Sequence, residues 1–154
     1  MRIGLISDTH GLVRSGVAAA FRGVERILHA GDVGSRDVLV ELECIAPVEA
    51  VRGNVDAFDL RLAATLIRDI DGVSILVTHG NEVGSPTPEK LAARYDADLI
   101  VFGHTHRPIV RRVGNTLVVN PGAAGPRRFN LIPSVALLTI ESGDISVELA
   151  DLAL

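Results

Sequence analysis

The stretch IGLISDTHG, residues 3–11, gives the first indication of the fold. Its apolar run ends at Ser7 and Asp8, and after a glycine the apolar residues recur at the spacing of a helix. The order is therefore strand, loop, helix. RILHA repeats this order: it ends next to Asp32 and is followed by the helical RDVLVELECIA and the short run PVEAV. We predict two consecutive βαβ-type units.

The second half of the chain is rich in predicted strands. ATLIRDI and VSILVT flank Asp71 and Gly72, a dipeptide suited to a type I′ turn, and predict an antiparallel hairpin. TPEKLAARY predicts a short helix with Thr87 as its N-cap and Pro88 at the first helical position. Five further strands are predicted in DLIVFG, PIVRRV, TLVVN, SVALLTIE and DISVELA.

Composition limits the class of the protein. The 154 residues suit a single domain, residues 1–154, and the net charge of −4 gives no general footprint for binding a nucleic-acid duplex. The first residues lack the apolar core of a signal peptide and no long apolar run follows, so we expect a cytoplasmic protein that does not bind membranes. The single Cys44 excludes a disulfide within the monomer, and we expect it to be buried and inert.

Five predicted strands end at side chains that can bind a metal ion. Consecutive members are 22 to 25 residues apart, about the length of one strand, a helix and a returning loop. If these strands lie in one sheet, their carboxyl ends converge at one edge, where α/β sheets place their ligands. The spacing therefore predicts a single site formed by Asp8, Asp32, Asn54, His79 and His104.

Two residue pairs extend this site. Asp8 and His10 are two residues apart, as are His104 and His106, and in an extended backbone such pairs point to the same side. Four of the five histidines therefore fall at predicted strand ends. The exception is His29, for which a buried residue hydrogen-bonded to the backbone is favoured over a role in supporting a metal ligand.

The seven candidate ligands offer nitrogen and oxygen donors but no sulfur. Such a set suits Mn²⁺, Fe²⁺, Co²⁺, Ni²⁺ or Zn²⁺, and seven side chains suit two ions about 4 Å apart that share a carboxylate bridge, for which Asp32 is the natural candidate. Two divalent ions with two carboxylates keep a positive charge, which favours a phosphoester substrate. Asn54 adds an oxygen without cancelling charge, and its NH₂ is free to donate to a phosphate oxygen.

The motifs SDTHG, HAGD, RGNVD, VTHG and FGHTHRP, in this order and spacing, resemble those of the calcineurin-like metallophosphoesterases, and in particular the small YfcE-like phosphodiesterases. The resemblance runs from Met1 to about Arg127, where NPGAAGPR has Ala123 in place of a Ser of the subfamily. It implies an α/β (α+β) fold, a four-layer αββα sandwich in which two mixed β-sheets are flanked by helices.

The resemblance assigns each candidate ligand to one of two metal ions. One Asp and two His would bind the first ion, one Asn and two His the second, and one Asp would bridge both. In that order, these residues are Asp8, His10 and His106; Asn54, His79 and His104; and Asp32. Mn²⁺ is the expected metal, with Ni²⁺, Co²⁺, Fe²⁺ and Zn²⁺ as alternatives.

The same resemblance implies the chemistry. Asp32, Asn54 and His79 are the predicted catalytic residues, and a metal-bridging hydroxide would attack phosphorus in line with the leaving oxygen. Arg107 and Arg127 are predicted, with Asn54, to contact the substrate phosphate.

One residue departs from the wider superfamily. Many members have a His directly after the motif Asn, where it is thought to help protonate the leaving group, whereas this chain has Val55, and the small subfamily often lacks that His too. Loss of a positioned acid typically costs on the order of 100- to 10,000-fold. Asp56 could take this role only if protonated, so we expect diesters with good leaving groups to react faster than alkyl monoesters.

Three functions stay open from the sequence. A phosphodiesterase acting on a small phosphoester is the leading hypothesis. A binding scaffold of the same fold is the second, since the retromer subunit is similar and has largely lost metal catalysis. A phosphomonoesterase or nucleotide hydrolase is the third. The chain has no insertion large enough for a substrate cap, so we expect an open pocket, and a homo-oligomer is compatible with all three.

Overall fold

The computed structural model describes residues 1–128 and 130–152, which form ten strands and three α-helices. The helices are α1 (Gly16–Ala20), α2 (Arg36–Glu43) and α3 (Pro88–Arg94). The strands are β1 (Arg2–Ile6), β2 (Arg26–His29), β3 (Val48–Ala50), β4 (Thr65–Ile70), β5 (Val73–Thr78), β6 (Leu99–Val101), β7 (Ile109–Val113), β8 (Thr116–Asn120), β9 (Ser134–Glu141) and β10 (Asp144–Asp151).

The first sheet has the strand order β10-β9-β1-β2-β3. Strands β1, β2 and β3 are parallel, as the two predicted βαβ units require, and β9 pairs antiparallel with β1. Both connections run through a helix on the outer face, which is how parallel neighbours are joined.

The second sheet has the order β4-β5-β6-β8-β7. Its β4–β5 hairpin turns at Asp71 and Gly72, whose φ angles of 52° and 81° fit the predicted type I′ turn. Thr87 caps α3 as predicted, because its side chain accepts a hydrogen bond from the Lys90 N–H, and Pro88 occupies the first helical position.

Alternation along the strands builds four layers. In β1, Leu5 packs into the apolar cluster between the two sheets, whereas Ile6 packs with Val17 of α1. In β6, Val101 faces the same central cluster, and Ile100 packs with α3. The order is therefore helices, sheet, sheet, helix, which confirms the predicted αββα sandwich.

One premise and one prediction from the sequence are wrong. The strands that carry the candidate ligands lie in two sheets, because after Val51 the chain crosses over and starts the second sheet with the β4–β5 hairpin. The thiol of Cys44 is exposed. The buried residues of α2 are Val38 and Leu42, and a position two residues beyond Leu42 points away from that face.

Among the described residues, no helix is long and apolar enough to cross a membrane.

Candidate metal centre

The two sheets meet at the edge formed by the carboxyl ends of β1, β2, β5 and β6, and the predicted ligands gather there. Several of them adopt a left-handed backbone: the φ angle is 53° at Asp8, 54° at Asp32 and 73° at His104. His10 and His106 also have positive φ, so the expectation that the two pairs converge through an extended backbone is wrong. Tight turns bring them together, and such unfavourable φ values persist where the surrounding structure holds them.

The Asp8 carboxylate lies at the centre of three histidines. Its Oδ1 is 3.4 Å from Nε2 of His106, 3.7 Å from Nε2 of His10 and 4.0 Å from Nε2 of His79. Its Oδ2 accepts hydrogen bonds from the Ser7 hydroxyl and the His104 N–H. One oxygen is therefore anchored by the fold, and the other faces the imidazoles.

The Asp32 carboxylate lies between the two predicted ligand groups. Its Oδ2 is 3.2 Å from Nε2 of His79 and 3.7 Å from Nε2 of His10, and its Oδ1 accepts a hydrogen bond from the Val55 N–H. His10 and His79 are predicted ligands of different ions, and Asp32 therefore lies between the two predicted groups.

The exposed end of the cluster is formed by Asn54 and His104. Nδ1 of His104 is 3.2 Å from Oδ1 of Asn54 and 3.4 Å from Nε2 of His79. All seven predicted ligands are thus joined in one continuous cluster with donors from both sheets.

The donor atoms fit a metal site. Oδ1 of Asp8 and Nε2 of His10 are buried, and neither forms a hydrogen bond within the described part of the chain. Nδ1 of His79 lies 2.9 Å from the Ala30 carbonyl, which selects the tautomer whose Nε2 lone pair is available to a metal. The separations of 3.2 to 4.0 Å around Asp8 and Asp32 compare with roughly 3.0 to 3.4 Å between ligands that are about 2.1 Å from one ion. In two groups the ligand atoms all lie within 4.8 Å of one another, close enough to hold one metal ion: Asp8 with His10 and His106, and Asp8 with Asp32 and His79.

The pKa values of these groups keep the carboxylates ionised. Burial by itself raises the pKa of Asp8, but the imidazoles of His10 and His106, whose Nε2 atoms lie 3.7 and 3.4 Å from Oδ1, hold that pKa well below its usual value. The pKa of Asp32 is lowered in the same way, since its interaction with His79 outweighs partial burial. For His79 burial lowers the pKa, yet the Asp32 and Asp8 carboxylates raise it above its usual value. Two ionised carboxylates give the cluster negative charge that attracts metal cations.

Two motif glycines let the chain pass against these carboxylates. A Cβ atom on Gly53 would lie 2.0 Å from Oδ1 of Asp32, and one on Gly103 would lie 2.5 Å from Oδ2 of Asp8. Any side chain at either position would displace a ligand. The glycine before Asn54 and the one before His104 are therefore steric requirements of the site.

His29 supports the site from behind and is buried as predicted. Its Nδ1 accepts the Gly31 N–H, and its Nε2 lies 2.9 Å from the Thr9 hydroxyl, which itself donates to the Val33 carbonyl. Both contacts are satisfied only by the neutral ring. Burial is the main cause that lowers the pKa of His29 to about 4. The partnership with Thr9 was missed, although Thr9 lies inside the SDTHG motif.

Asp56 has a structural role, and backbone N–H groups engage both of its carboxylate oxygens. Its carboxylate is buried and accepts the backbone N–H groups of Gly53, Val33 and Gly34 at 2.8 to 3.1 Å. These three N–H donors occupy both carboxylate oxygens and tie the Asn54 turn to the Asp32 turn.

The two arginines predicted for phosphate are exposed. Arg107 lines a largely apolar groove with Pro86 and Leu131, and Nη2 of Arg127 donates to the Asn130 carbonyl. Sequence reasoning missed two other arginines, Arg52 and Arg94, which line a pocket that includes Asn54.

Comparison with known proteins identifies the family. Residues 1–143 match the calcineurin-like phosphoesterase superfamily domain. The chain is 36% identical over 160 residues to a probable metallophosphoesterase of Methanothermobacter thermautotrophicus, a match that covers 97% of this chain and 91% of that protein. It is 28% identical over 178 residues to phosphodiesterase YfcE of Escherichia coli K12, with 96% and 95% of the two chains covered.

The fold is shared with a solved structure that contains metal. Wild-type Vps29 of Entamoeba histolytica, complexed with Zn²⁺, aligns with a TM-score of 0.82 at 24% identity, and the alignment covers 99% of both chains. At this identity the likeness concerns the fold alone. The matched sequence motifs and the family domain together make the chain a member of the calcineurin-like phosphoesterase superfamily.

Proposed function

We propose that the chain is a phosphodiesterase that depends on two divalent transition-metal ions. The observation that carries the proposal is the position of Asp32, whose Oδ2 lies within 3.7 Å of His10 on one side and 3.2 Å of His79 on the other. A carboxylate at that position joins two ligand groups into one dinuclear centre. Mn²⁺ is the proposed metal.

When bound, the ions would supply Lewis acidity toward the phosphoryl oxygens and would activate water for in-line attack. Asp8, His10 and His106 would hold one ion, Asn54, His79 and His104 would hold the other, and Asp32 would serve both. Two carboxylates are the only anionic members of this set, so the loaded centre keeps a positive charge and attracts an anion.

Asn54 has a second role at the exposed end. Its Oδ1 faces Nδ1 of His104, which leaves the amide NH₂ to donate to a phosphate oxygen of the substrate. Arg107 and Arg127 remain proposed contacts to the same phosphate, from exposed positions.

Neither of the two residues that follow Asn54 offers a free side-chain acid. Val55 is 60% exposed and contributes only its backbone N–H to Asp32, and Asp56 is held by three backbone donors. A leaving group at this side would therefore receive no proton from Val55 or Asp56. The absence of an acid supports a preference for diesters with good leaving groups.

Hydrolysis of bis-p-nitrophenyl phosphate with added Mn²⁺ tests the proposal. We expect metal-dependent turnover that is lost in Asp32→Ala, together with two metal ions per chain by elemental analysis. Equal rates for the two proteins would rule out the enzyme, and a single ion per chain would rule out the dinuclear centre.

The alternatives are separated by the same preparation. The shared fold with Vps29 is compatible with a non-catalytic scaffold. A scaffold has no need of all seven candidate ligands, yet all seven are present and clustered. A phosphomonoesterase would favour monoesters across a series of matched leaving groups, whereas we expect the diesters to be faster.

A further inference from the structure

A pocket of about 330 Å³ opens beside the metal centre. Asn54 belongs to both, so whatever occupies the pocket is next to the group that the centre would hold. The walls come from the segment that follows β3 and from the segments at the two ends of the loop and helix that follow β5. The residues used below are Arg52, Phe58, Glu82, Arg94 and Tyr95.

Two arginines are held in the pocket by aromatic rings. Cζ of Arg52 lies 4.7 Å from the centroid of the Phe58 ring, and Cζ of Arg94 lies 5.4 Å from that of Tyr95. Stacking uses the flat face of a guanidinium, so the N–H groups at its edge can still donate to a ligand. Within residues 1–128 and 130–152, no ion pair joins either guanidinium to a carboxylate.

The acidic groups of the pocket are already occupied. Glu82 accepts hydrogen bonds from the Thr78 and Tyr95 hydroxyls and from the Gly80 N–H. Asp56 accepts three backbone N–H groups, as described above. The groups in the pocket that can still form hydrogen bonds to a ligand are therefore the N–H donors of the two arginines. A ligand that suits them is an anion rich in acceptor oxygens.

We propose that this pocket binds a second phosphate group, carried by the ester arm of the substrate that is not cleaved. Two guanidinium groups can donate several N–H bonds, which the three oxygens of a terminal phosphate accept more fully than the two oxygens of a carboxylate. Arg52 is two residues from Asn54, so their Cα atoms are at most about 7 Å apart, a span that a sugar between two phosphates can bridge. This inference rests on the proposed phosphodiesterase function.

Binding of product-like nucleotides tests the pocket without turnover. Calorimetry on the Mn²⁺-loaded protein compares thymidine 5′-monophosphate with thymidine 3′,5′-bisphosphate, which differ only in the second phosphate. We expect the bisphosphate to bind roughly 10- to 100-fold more tightly, and Arg52→Met and Arg94→Met each to remove most of that advantage. Arg22→Met, an exposed arginine outside the pocket, should keep it. Equal affinities in the wild type, or an advantage that survives both pocket variants, would overturn the proposal.

Kinetics separates the two proposals. The substrates are the p-nitrophenyl ester of thymidine 5′-monophosphate and its 3′-phosphorylated form, and we expect a higher kcat/KM for the latter that falls in Arg94→Met. Equal kcat/KM values with no bisphosphate advantage would reject the second-phosphate pocket and leave the phosphodiesterase intact. Hydrolysis of neither ester, with an arginine-dependent bisphosphate advantage, would reject the phosphodiesterase and leave the phosphate pocket.

Discussion

The metal centre has a buried side and an exposed side, and they are built differently. On the buried side Asp8 and His79 are 0% and 1% exposed, and each is fixed by hydrogen bonds from the fold. On the exposed side Asn54 is open to solvent, and its Oδ1 lies 3.2 Å from Nδ1 of a neighbouring candidate ligand, His104. The buried side therefore sets where metal can bind, and the exposed side is where a substrate can be contacted.

Removing a charge from the buried side should have the largest effect. Asp8→Asn keeps the shape of the side chain but takes away the carboxylate that lies within 4.0 Å of three histidines. We expect phosphodiesterase activity to fall on the order of 1,000-fold and the metal content to drop. Elemental analysis and initial rates check this, with Asp144→Asn on exposed β10 as the control. Full metal content in Asp8→Asn would contradict the claim that the buried side sets where metal binds.

Acid should weaken the buried side through His29. Its pKa is about 4 in the native state against an ordinary value of 6.5, so the unfolded chain takes up this proton first as pH falls. The stability contributed by the neutral ring is fully present above pH 6.5 and is lost between pH 6.5 and 4, up to about 3 kcal/mol. Urea unfolding in EDTA should give a steeper pH dependence for the wild type than for His29→Gln; parallel curves would contradict the assignment.

The close contact between Gly53 and Asp32, where the two sides meet, should tolerate no added atoms. Gly53→Ala would place a Cβ atom 2.0 Å from Oδ1 of Asp32, so we expect a loss of about 1 to 3 kcal/mol in the free energy of unfolding. Gly16→Ala is the matched control, because its nearest neighbour, in Leu152, is 3.7 Å away. A similar midpoint of chemical denaturation for both variants would show that the contact between residue 53 and Asp32 can adjust to the added atom.

The smallest effect is expected on the exposed side. Asn54→Ala removes one metal-facing oxygen and the NH₂ proposed to contact phosphate, so kcat/KM should fall roughly 10- to 100-fold while thermal stability in EDTA stays close to that of the wild type. Asn115→Ala, an exposed asparagine in the β7–β8 turn, serves as the control. A large loss of stability in Asn54→Ala would remove the contrast between the two sides.

Local signals in the sequence predicted most of the secondary structure. The Asp71–Gly72 turn and the Thr87 cap depend on a few neighbouring residues, and the structure contains both as expected. Cys44 was misassigned because an apolar helical stretch does not tell which face is covered. The φ angles at Asp8 and His104 could not be read from residue type, since they are held by contacts with distant parts of the chain.

The sequence by itself determined the set of seven candidate ligands, their order at strand ends and the family, because motif residues and spacing are local properties of a chain. Only the tertiary structure decided that two sheets meet at the site, that Asp32 lies between His10 and His79, and that the Asp56 carboxylate accepts backbone N–H groups. It also brought Arg52 and Arg94, 42 positions apart, into one pocket beside Asn54. Such convergence depends on how the two sheets pack, which no short stretch of sequence specifies.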